Sequence, residues 1–269
     1  LVAGTYWTGR LMLGHRFGLL AGFVVGTMPA IINFSRKWES MFHAAAVSVL
    51  ALALAVALVR RPAHHNLGFW VALGLCQGIR FYTHPIVLPD IALIFGLLAV
   101  FFLIRGRADG LAAHGRWLRG WALSVVLCAG VGAWFLGNPW TEDPSYGLRH
   151  YLDHKAWMTG SAGTVIQDFT LVEATVKVLS NLVFSHWMIG YTLLLVVPGA
   201  MAAALGLAVP SRGAVDRRVA RTATFLLVLA FAQLPLAIWT ARIGGFTTDW
   251  LYLAAPTTLG CLAALHRLY

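Results

Sequence analysis

The chain is built from repeated apolar runs, each long enough for one helix to cross a lipid bilayer. A hydrocarbon core of about 30 Å takes about 20 helical residues. Only helices and closed barrels satisfy their backbone hydrogen bonds in lipid, and these runs lack the alternating pattern of barrel strands. Hydrophobic residues make up 59% of the chain and charged residues 11%, against about 25% charged residues in soluble domains. We therefore predict an all-α, polytopic transmembrane helical bundle.

Length and hydropathy predict eight spans, which together form a single domain over residues 1–269. The predicted spans are 18–34, 41–59, 67–84, 86–104, 120–138, 187–209, 222–241 and 248–266. Residues 1–9 look like the tail of an earlier span, so we expect the chain to be a fragment without its first span and first outer loop. Residues 139–186 are predicted to form one long outer loop with amphipathic, interfacial helices.

The charged residues orient this predicted bundle. Most arginines fall in loops that the alternation of spans places on one side: Arg10, Arg16, Arg60, Arg61, Arg105, Arg107, Arg116, Arg119, Arg212, Arg217, Arg218, Arg221 and Arg267. The positive-inside rule makes that side cytoplasmic. The net charge of +10 then reflects membrane topology, and we expect no nucleic-acid partner. The expected location is a membrane, most simply the bacterial inner or plasma membrane.

Most carboxylates lie on the opposite, outer side of the predicted bundle. They are Glu39, Asp90, Glu142, Asp143, Asp153, Asp168, Glu173 and Asp249. Proton transfer at neutral pH usually needs carboxylates or histidines, so any catalysis is expected at the outer face. Arg80 and Asp90 fall inside apolar runs, where a central charge costs about 2.5–3.5 kcal/mol. We expect these two side chains to face a cavity or to pair with each other.

Metal and disulfide patterns are weak. Cys76, Cys128 and Cys261 lie in apolar runs without CxxC spacing, which is typical of packing residues. His150 and His154 are spaced to share a helical face, but a third ligand is not evident. No Walker loop or GxGxxG motif indicates a bound nucleotide. We predict no resident cofactor and assign no metal ligands, although the sequence leaves a divalent metal open.

Three stretches, taken in order, resemble a known family of membrane enzymes. They are GRLMLGHRFGLLAGFVVGTMPAIINFSRKWESMF, GFWVALGLCQGIRFYTHPIVLPDIALIFGLL and WLYLAAPTTLGCLAAL. Their order is similar to that in the GT-C membrane glycosyltransferases, in the group of protein O-mannosyltransferases, the lipid A aminoarabinose transferase and RgtA/B/C/D-like enzymes. The chain departs from this pattern in its second turn, where Arg-Phe-Tyr-Thr-His replaces a common Thr-Lys. The family's general-base aspartate has no counterpart here.

The resemblance implies transfer of a sugar from a polyprenyl-phosphate-linked donor to a lipid, glycan or protein acceptor at the extracytoplasmic face. Glu39 matches an acidic position of the family and is the implied catalytic residue, which would orient the acceptor or position the donor. The implied substrate-binding residues are Arg36, Lys37, Arg80, Tyr82, His84, Arg242 and Asp249. Their cations would stabilise the departing lipid phosphate.

Other interpretations of these residues stay open. Arg36 and Lys37 can reach lipid headgroups with Glu39 as their partner, and Arg242 can pair with Asp249 at the interface. A multispan transporter would use Arg80 and Asp90 to line its pathway. A noncatalytic subunit of a membrane complex would use the outer loop to dock a partner.

Overall fold

The computed structural model describes residues 1–27, 40–60, 67–83, 88–109, 111–137, 170–176, 213–242 and 251–268. Every regular element in these ranges is an α-helix, so the predicted all-α class is confirmed for them. The predicted span 187–209 lies outside the described residues, as does most of the predicted outer loop.

Eight long helices are described: α1 (Val2–Leu13), α2 (His15–Gly26), α3 (Ser40–Arg60), α4 (Leu67–Thr83), α5 (Leu88–Asp109), α6 (Leu111–Gly137), α7 (Ala214–Arg242) and α8 (Leu251–Leu268). A short helical segment covers 171–176. Both α6 and α7 begin well before the spans predicted for them. Hydropathy marks only the apolar part of each helix, whereas the helical backbone continues through arginine-bearing first turns.

Length and apolar character single out one of these helices. Within the described residues, Gly115–Trp134 of α6 is long and apolar enough to cross a membrane. Four shorter apolar stretches accompany it: His15–Gly26, Ala46–Arg60, Leu67–Phe81 and Leu88–Ile104. The number of crossings beyond this one helix therefore stays a prediction.

A single residue, Gly14, joins α1 to α2. Its φ of 94° lies in the left-handed region that favours glycine. The two helices fold back on each other so closely that a Cβ at Gly18 would lie 2.6 Å from the Tyr6 carbonyl oxygen, and one at Gly9 would lie 3.0 Å from the Cα of Gly18. Small residues thus let the two backbones of this hairpin approach each other.

Contacts between helix termini define one end of the bundle. The side chain of Arg60, at the end of α3, donates to the backbone carbonyl of Met12, at the end of α1. Arg267, at the end of α8, pairs with Asp216, at the start of α7, with 2.8 Å between Nε and Oδ1. We call this the arginine end, defined by Arg60, Arg218 and Arg267, and we call the opposite end the far end.

Aromatic rings bring three more helix termini together at the arginine end. Phe102, near the end of α5, stacks on Trp117, in the first turns of α6, with ring centroids 5.4 Å apart. Trp70, in the first turn of α4, lies 5.7 Å from Phe102 by the same measure.

The α4–α6 interface is packed on glycines. A Cβ at Gly74 would lie 2.5 Å from the Ser124 carbonyl oxygen, and one at Gly78 would lie 2.5 Å from the Cβ of Val131. On the α6 side of this interface, Gly120 faces the Trp70 ring. A Cβ at Gly120 would lie 2.3 Å from Cδ1 of that ring. Gly74 and Gly78 are four residues apart on one face, the GxxxG spacing typical of close helix pairs in membranes.

Gly74→Ala should destabilise the protein, whereas Gly130→Ala should not. The new methyl group at Gly74 would meet backbone atoms of Ser124, which cannot rotate away, and overpacking of this kind costs about 1–3 kcal/mol. A Cβ at Gly130, on the same interface helix, meets nothing within 4 Å. Alanine there should stabilise the helix by about 0.5–1 kcal/mol.

Thermal unfolding of the two detergent-solubilised variants beside the parent protein measures this difference. Equal unfolding temperatures for the Gly74→Ala and Gly130→Ala variants would contradict the close α4–α6 packing.

Several polar side chains are buried inside the bundle among its apolar core, and several large apolar side chains lie on its surface. Among the described residues, Gln77, Arg80 and Thr222 are each 0% exposed. By contrast, Phe23 of α2 is 69% exposed and Val126 of α6 is 65% exposed. Soluble helical bundles usually turn their apolar stripe inward and their polar face to water.

Candidate functional site

A buried ion pair joins α4 to α5 near the far end of the bundle. Nη2 of Arg80 donates to Oδ2 of Asp90, so the pairing that the sequence offered for these residues is present. Nη1 of Arg80 donates to Oε1 of Gln77 at 2.6 Å. Arg80 is 0% exposed and Asp90 is 8% exposed. Both charges are therefore removed from solvent and compensated within the protein.

A second contact ties this pair to α7. Nε2 of Gln233 donates to Oδ1 of Asp90, so both carboxylate oxygens accept a hydrogen bond. We call Gln77, Arg80, Asp90 and Gln233 the far-end cluster. It connects three helices, α4, α5 and α7, through side chains that are all buried.

Local sequence explains why the two charges sit where they do. Asp90 lies in the first turn of α5, directly after Pro89. Proline suits a helix start, and the helix dipole stabilises a carboxylate there. Arg80 lies in the last turn of α4, where the dipole stabilises a cation. Gln77 precedes Arg80 by three residues, so the two share one helical face.

The far-end cluster still has hydrogen-bonding capacity to offer. In the described part of the chain, Nε2 of Gln77 and Oε1 of Gln233 have no hydrogen-bond partner. The first is a hydrogen-bond donor and the second is an acceptor. The Nη atoms of Arg80 donate to Gln77 and Asp90 and so fix α4 to α5, while Gln233 links Asp90 to α7. Direct contact of Arg80 with a donor phosphate stays a prediction.

The structure describes the other predicted site residues only in part. Arg36, Lys37, Glu39, His84 and Asp249 lie outside the described residues.

Tyr82 and Arg242 are described through their backbone alone. Tyr82 is in the last turn of α4, two residues beyond Arg80, and Arg242 ends α7. Both backbones are at the far end, on the same helices that carry the far-end cluster.

Sequence reasoning missed Gln77 and Gln233. Either glutamine could have been noticed as a rare amide within an apolar helix, because buried amides in such helices usually bond across an interface. The sequence gives no sign that Gln233 would meet Asp90, since the two are 143 positions apart.

An apolar groove of about 480 Å³ opens between α1 and α2 on the far half of their hairpin. It is lined by Val2, Ala3, Tyr6, Leu19, Gly22, Phe23, Gly26 and Thr27. Its walls are almost entirely carbon, so it suits an aliphatic chain and offers little to a polar ligand.

Metal ligands do not converge in the described ranges. No group of three or more His, Cys, Asp or Glu side chains comes together there, and His150 and His154 lie outside them. Cys128 and Cys261 are buried, Cys76 is partly buried, and all three are free thiols. A divalent metal stays an open expectation.

No protein-family model matches the chain, and neither characterised proteins nor solved structures show a significant similarity to it.

Proposed function

We propose that this protein is an integral membrane glycosyltransferase of the GT-C type, with several membrane spans. In this proposal it transfers a sugar from a polyprenyl-phosphate carrier to a lipid, glycan or protein acceptor at the extracytoplasmic face. The arginine end is cytoplasmic and the far end is extracytoplasmic. The proposal rests on two observations: the order of the three sequence stretches that resemble GT-C enzymes, and the distribution of charged residues between the two ends.

The membrane part of the proposal is supported by large apolar side chains on the surface and by polar side chains buried between helices. Phe23, Val126 and Phe231 are more than half exposed, and each lies in the middle or far half of its helix. In water such side chains would be costly, whereas lipid tails solvate them. The glycine-packed α1–α2 and α4–α6 pairs also fit helices that associate without a hydrophobic driving force.

The transferase part is supported by one observation above the others. Most of the described arginines lie toward the arginine end, whereas the carboxylate of Asp90 lies at the far end. The far end has a buried carboxylate in the far-end cluster and the termini of α4 and α7, which carry Tyr82 and Arg242. An apolar groove opens at the same end. These features suit a donor with a phosphate head and a prenyl tail.

The proposed reaction is a displacement at the anomeric carbon. The acceptor oxygen forms the new glycosidic bond while the bond from the sugar to the phosphate oxygen breaks, and the lipid phosphate leaves with the electron pair. Arg36, Lys37 and Arg242 are the proposed cations for that phosphate. A carboxylate takes the acceptor proton, and Glu39 orients the reactants. Arg80 acts in this scheme by fixing the α4–α5 hairpin.

Release of polyprenyl phosphate tests the proposal without knowledge of the acceptor. The protein, expressed from its full reading frame and placed in liposomes with a bacterial membrane extract, is supplied with a panel of polyprenyl-phosphate hexoses and pentoses. We expect one member to release its lipid phosphate at least about tenfold faster than protein-free liposomes do. No release from any member would overturn the proposal.

The second candidate is a multispan transporter. Buried charged residues within membrane helices often line a substrate or ion path, and Arg80, Asp90 and Gln233 are buried in this way. This alternative predicts movement of a solute across sealed liposomes without cleavage of any sugar-phosphate bond. The same liposomes used in the release assay can therefore separate the two functions.

A further inference from the structure

We propose that Gln233 anchors a hinge in α7 and thereby positions Arg242, which ends that helix. The hinge is the turn from Phe231 to Pro235, and residues 236–242 beyond it are named the α7 tip. The hinge itself follows from how α7 packs against α5 and α8. Its link to sugar transfer rests on the proposed function, in which Arg242 meets the donor phosphate.

The backbone of α7 is interrupted at Pro235, which lies inside the helix. Proline has no N–H to donate to the carbonyl four residues earlier, here that of Phe231, and its ring crowds the same carbonyl. Interior prolines are among the usual causes of sharp helix kinks. The turn 231–235 is therefore a point at which α7 can bend.

The neighbouring helix is interrupted in the same way. Pro256 lies inside α8, beyond its first turn. The carbonyl of Tyr252 therefore loses the donor that a regular helix supplies. The interrupted turn of α8 is 252–256, as long as the one in α7.

The two interrupted turns lie side by side. α7 and α8 run antiparallel, and a Cβ at Gly260 of α8 would lie 3.0 Å from Cγ of Leu227 of α7. Four residues farther toward the far end, α7 reaches 231 and α8 reaches 256, because both helices rise equally per residue. This register places 231–235 beside 252–256. An uninterrupted neighbour would brace α7 at this level, whereas an interrupted one can bend with it.

A buried side chain ties the interrupted turn of α7 to α5. Nε2 of Gln233 donates to Oδ1 of Asp90, and Gln233 is 6% exposed. The other oxygen of this carboxylate accepts from Arg80 of α4, so the acceptor of Gln233 is itself held in place. A helix that bends at a turn with a fixed attachment bends about that attachment. Gln233 therefore sets the direction of the α7 tip.

The α7 tip turns a small bend into a displacement of Arg242. Its seven residues extend about 10 Å at about 1.5 Å per residue. A change of about 20° in the kink would move the end of the tip by about 3–4 Å. Misplacement of a reacting group by about 1 Å can cost about 10²-fold in rate. A bend of this size is therefore large enough to carry Arg242 out of reach of a phosphate.

Gln233 would have a purely local role if it served only to satisfy the buried Asp90 carboxylate. Its replacement would then destabilise the protein but leave the direction of the α7 tip unchanged. Pro235 separates the two roles, because alanine at this position restores the missing N–H and makes the tip continuous with the rest of α7. Positioning through a hinge requires that the effect of Gln233 depends on Pro235.

Distances between spin labels on the purified protein test this dependence without any substrate. Genetically encoded ketone amino acids carry the nitroxide labels, so the three native cysteines stay in place. One pair joins Val126 of α6 to Ala241 in the α7 tip, and the control pair joins Val126 to Val228, which precedes the hinge; both valines are exposed. We expect Gln233→Met to shift the Val126–Ala241 distance by about 3–4 Å and to leave the control distance unchanged.

The same Gln233→Met change should leave the Val126–Ala241 distance unchanged when it is made in a Pro235→Ala background. Equal shifts in both backgrounds, or no shift in either, would overturn the hinge. An equal shift of the control pair would also overturn it, because all of α7 would then move. If Gln233→Met does not fold, Gln233→Asn serves instead, since its amide is one methylene too short to reach Asp90.

The distance measurement and the release assay can fail independently. An α7 tip that does not move overturns the hinge and leaves sugar transfer standing, whereas a lack of release from every donor overturns sugar transfer and leaves the hinge standing. With an active donor, Gln233→Met should slow release of polyprenyl phosphate at least about tenfold. Unchanged release from a protein whose tip has moved would overturn the link to Arg242.

Discussion

Replacing Asp90 with alanine should lower the free energy of unfolding by about 3–5 kcal/mol, as expected when one partner of a buried ion pair is removed. The change takes away the charge that faces the fully buried Arg80. It also removes the acceptor of Gln233, so the tie between α5 and α7 is lost. Equilibrium unfolding of the purified protein in detergent measures the difference.

Two controls separate the buried charge from ordinary packing loss. Arg80→Met together with Asp90→Leu removes both charges and keeps apolar volume, so it should cost far less than Asp90→Ala alone. Asp216→Asn alters the pair at the arginine end, in which Asp216 is partly exposed and Arg267 is buried. We expect a smaller loss there than for Asp90→Ala, because asparagine keeps a carbonyl oxygen that can accept from Arg267. An Asp90→Ala variant no less stable than Asp216→Asn would show that the far-end cluster does not hold the helices.

Glu39→Gln should lower sugar transfer about 100-fold while leaving the amount of folded protein unchanged. Glutamine keeps the size of the side chain but cannot carry the negative charge with which Glu39 would orient the reactants. Misplacement of a reactant can cost about 10²-fold in rate. Release of polyprenyl phosphate is the measurement, with the unfolding temperature as the check on folding.

Glu173→Gln is the matched control for Glu39→Gln. Oε2 of Glu173 accepts from the backbone N–H and from the hydroxyl of Thr170, both at 2.8 Å. The backbone bond and then the hydroxyl bond lower the pKa of Glu173 below its ordinary value. Its role is to cap the helical segment 171–176, so its replacement should leave turnover within about twofold. Equal losses in both variants, or none in Glu39→Gln, would remove Glu39 from the mechanism.

The helices themselves were the most predictable part of this fold. The apolar runs at 41–59, 67–84, 86–104 and 248–266 correspond closely to α3, α4, α5 and α8. Hydropathy works here because backbone hydrogen bonds in a long apolar run must be satisfied within the run. Hydropathy fails at the start of α6 and α7, because the first turns of these helices are amphipathic and their arginines lower the mean hydropathy.

Contacts between helices were less predictable. Pairing of Arg80 with Asp90 could be inferred, because the two flank a short turn and carry opposite charges. The contribution of Gln233 could not be inferred, because its partner lies on a helix distant in sequence. Gly74 and Gly78 have the GxxxG spacing that predicts a close contact with another helix, but the spacing alone does not identify α6 as that helix.

The one-residue connection at Gly14 bears on how such a chain would be made. In the proposed membrane placement, two helices joined by a single glycine and packed along their small residues would enter lipid as one unit. During synthesis in this placement they would leave the translocon together as a packed pair, each with its backbone hydrogen bonds formed within its own helix. A bulky side chain at Gly18 would then show its effect during biogenesis, as a shortage of inserted protein, before any mature molecule could be tested.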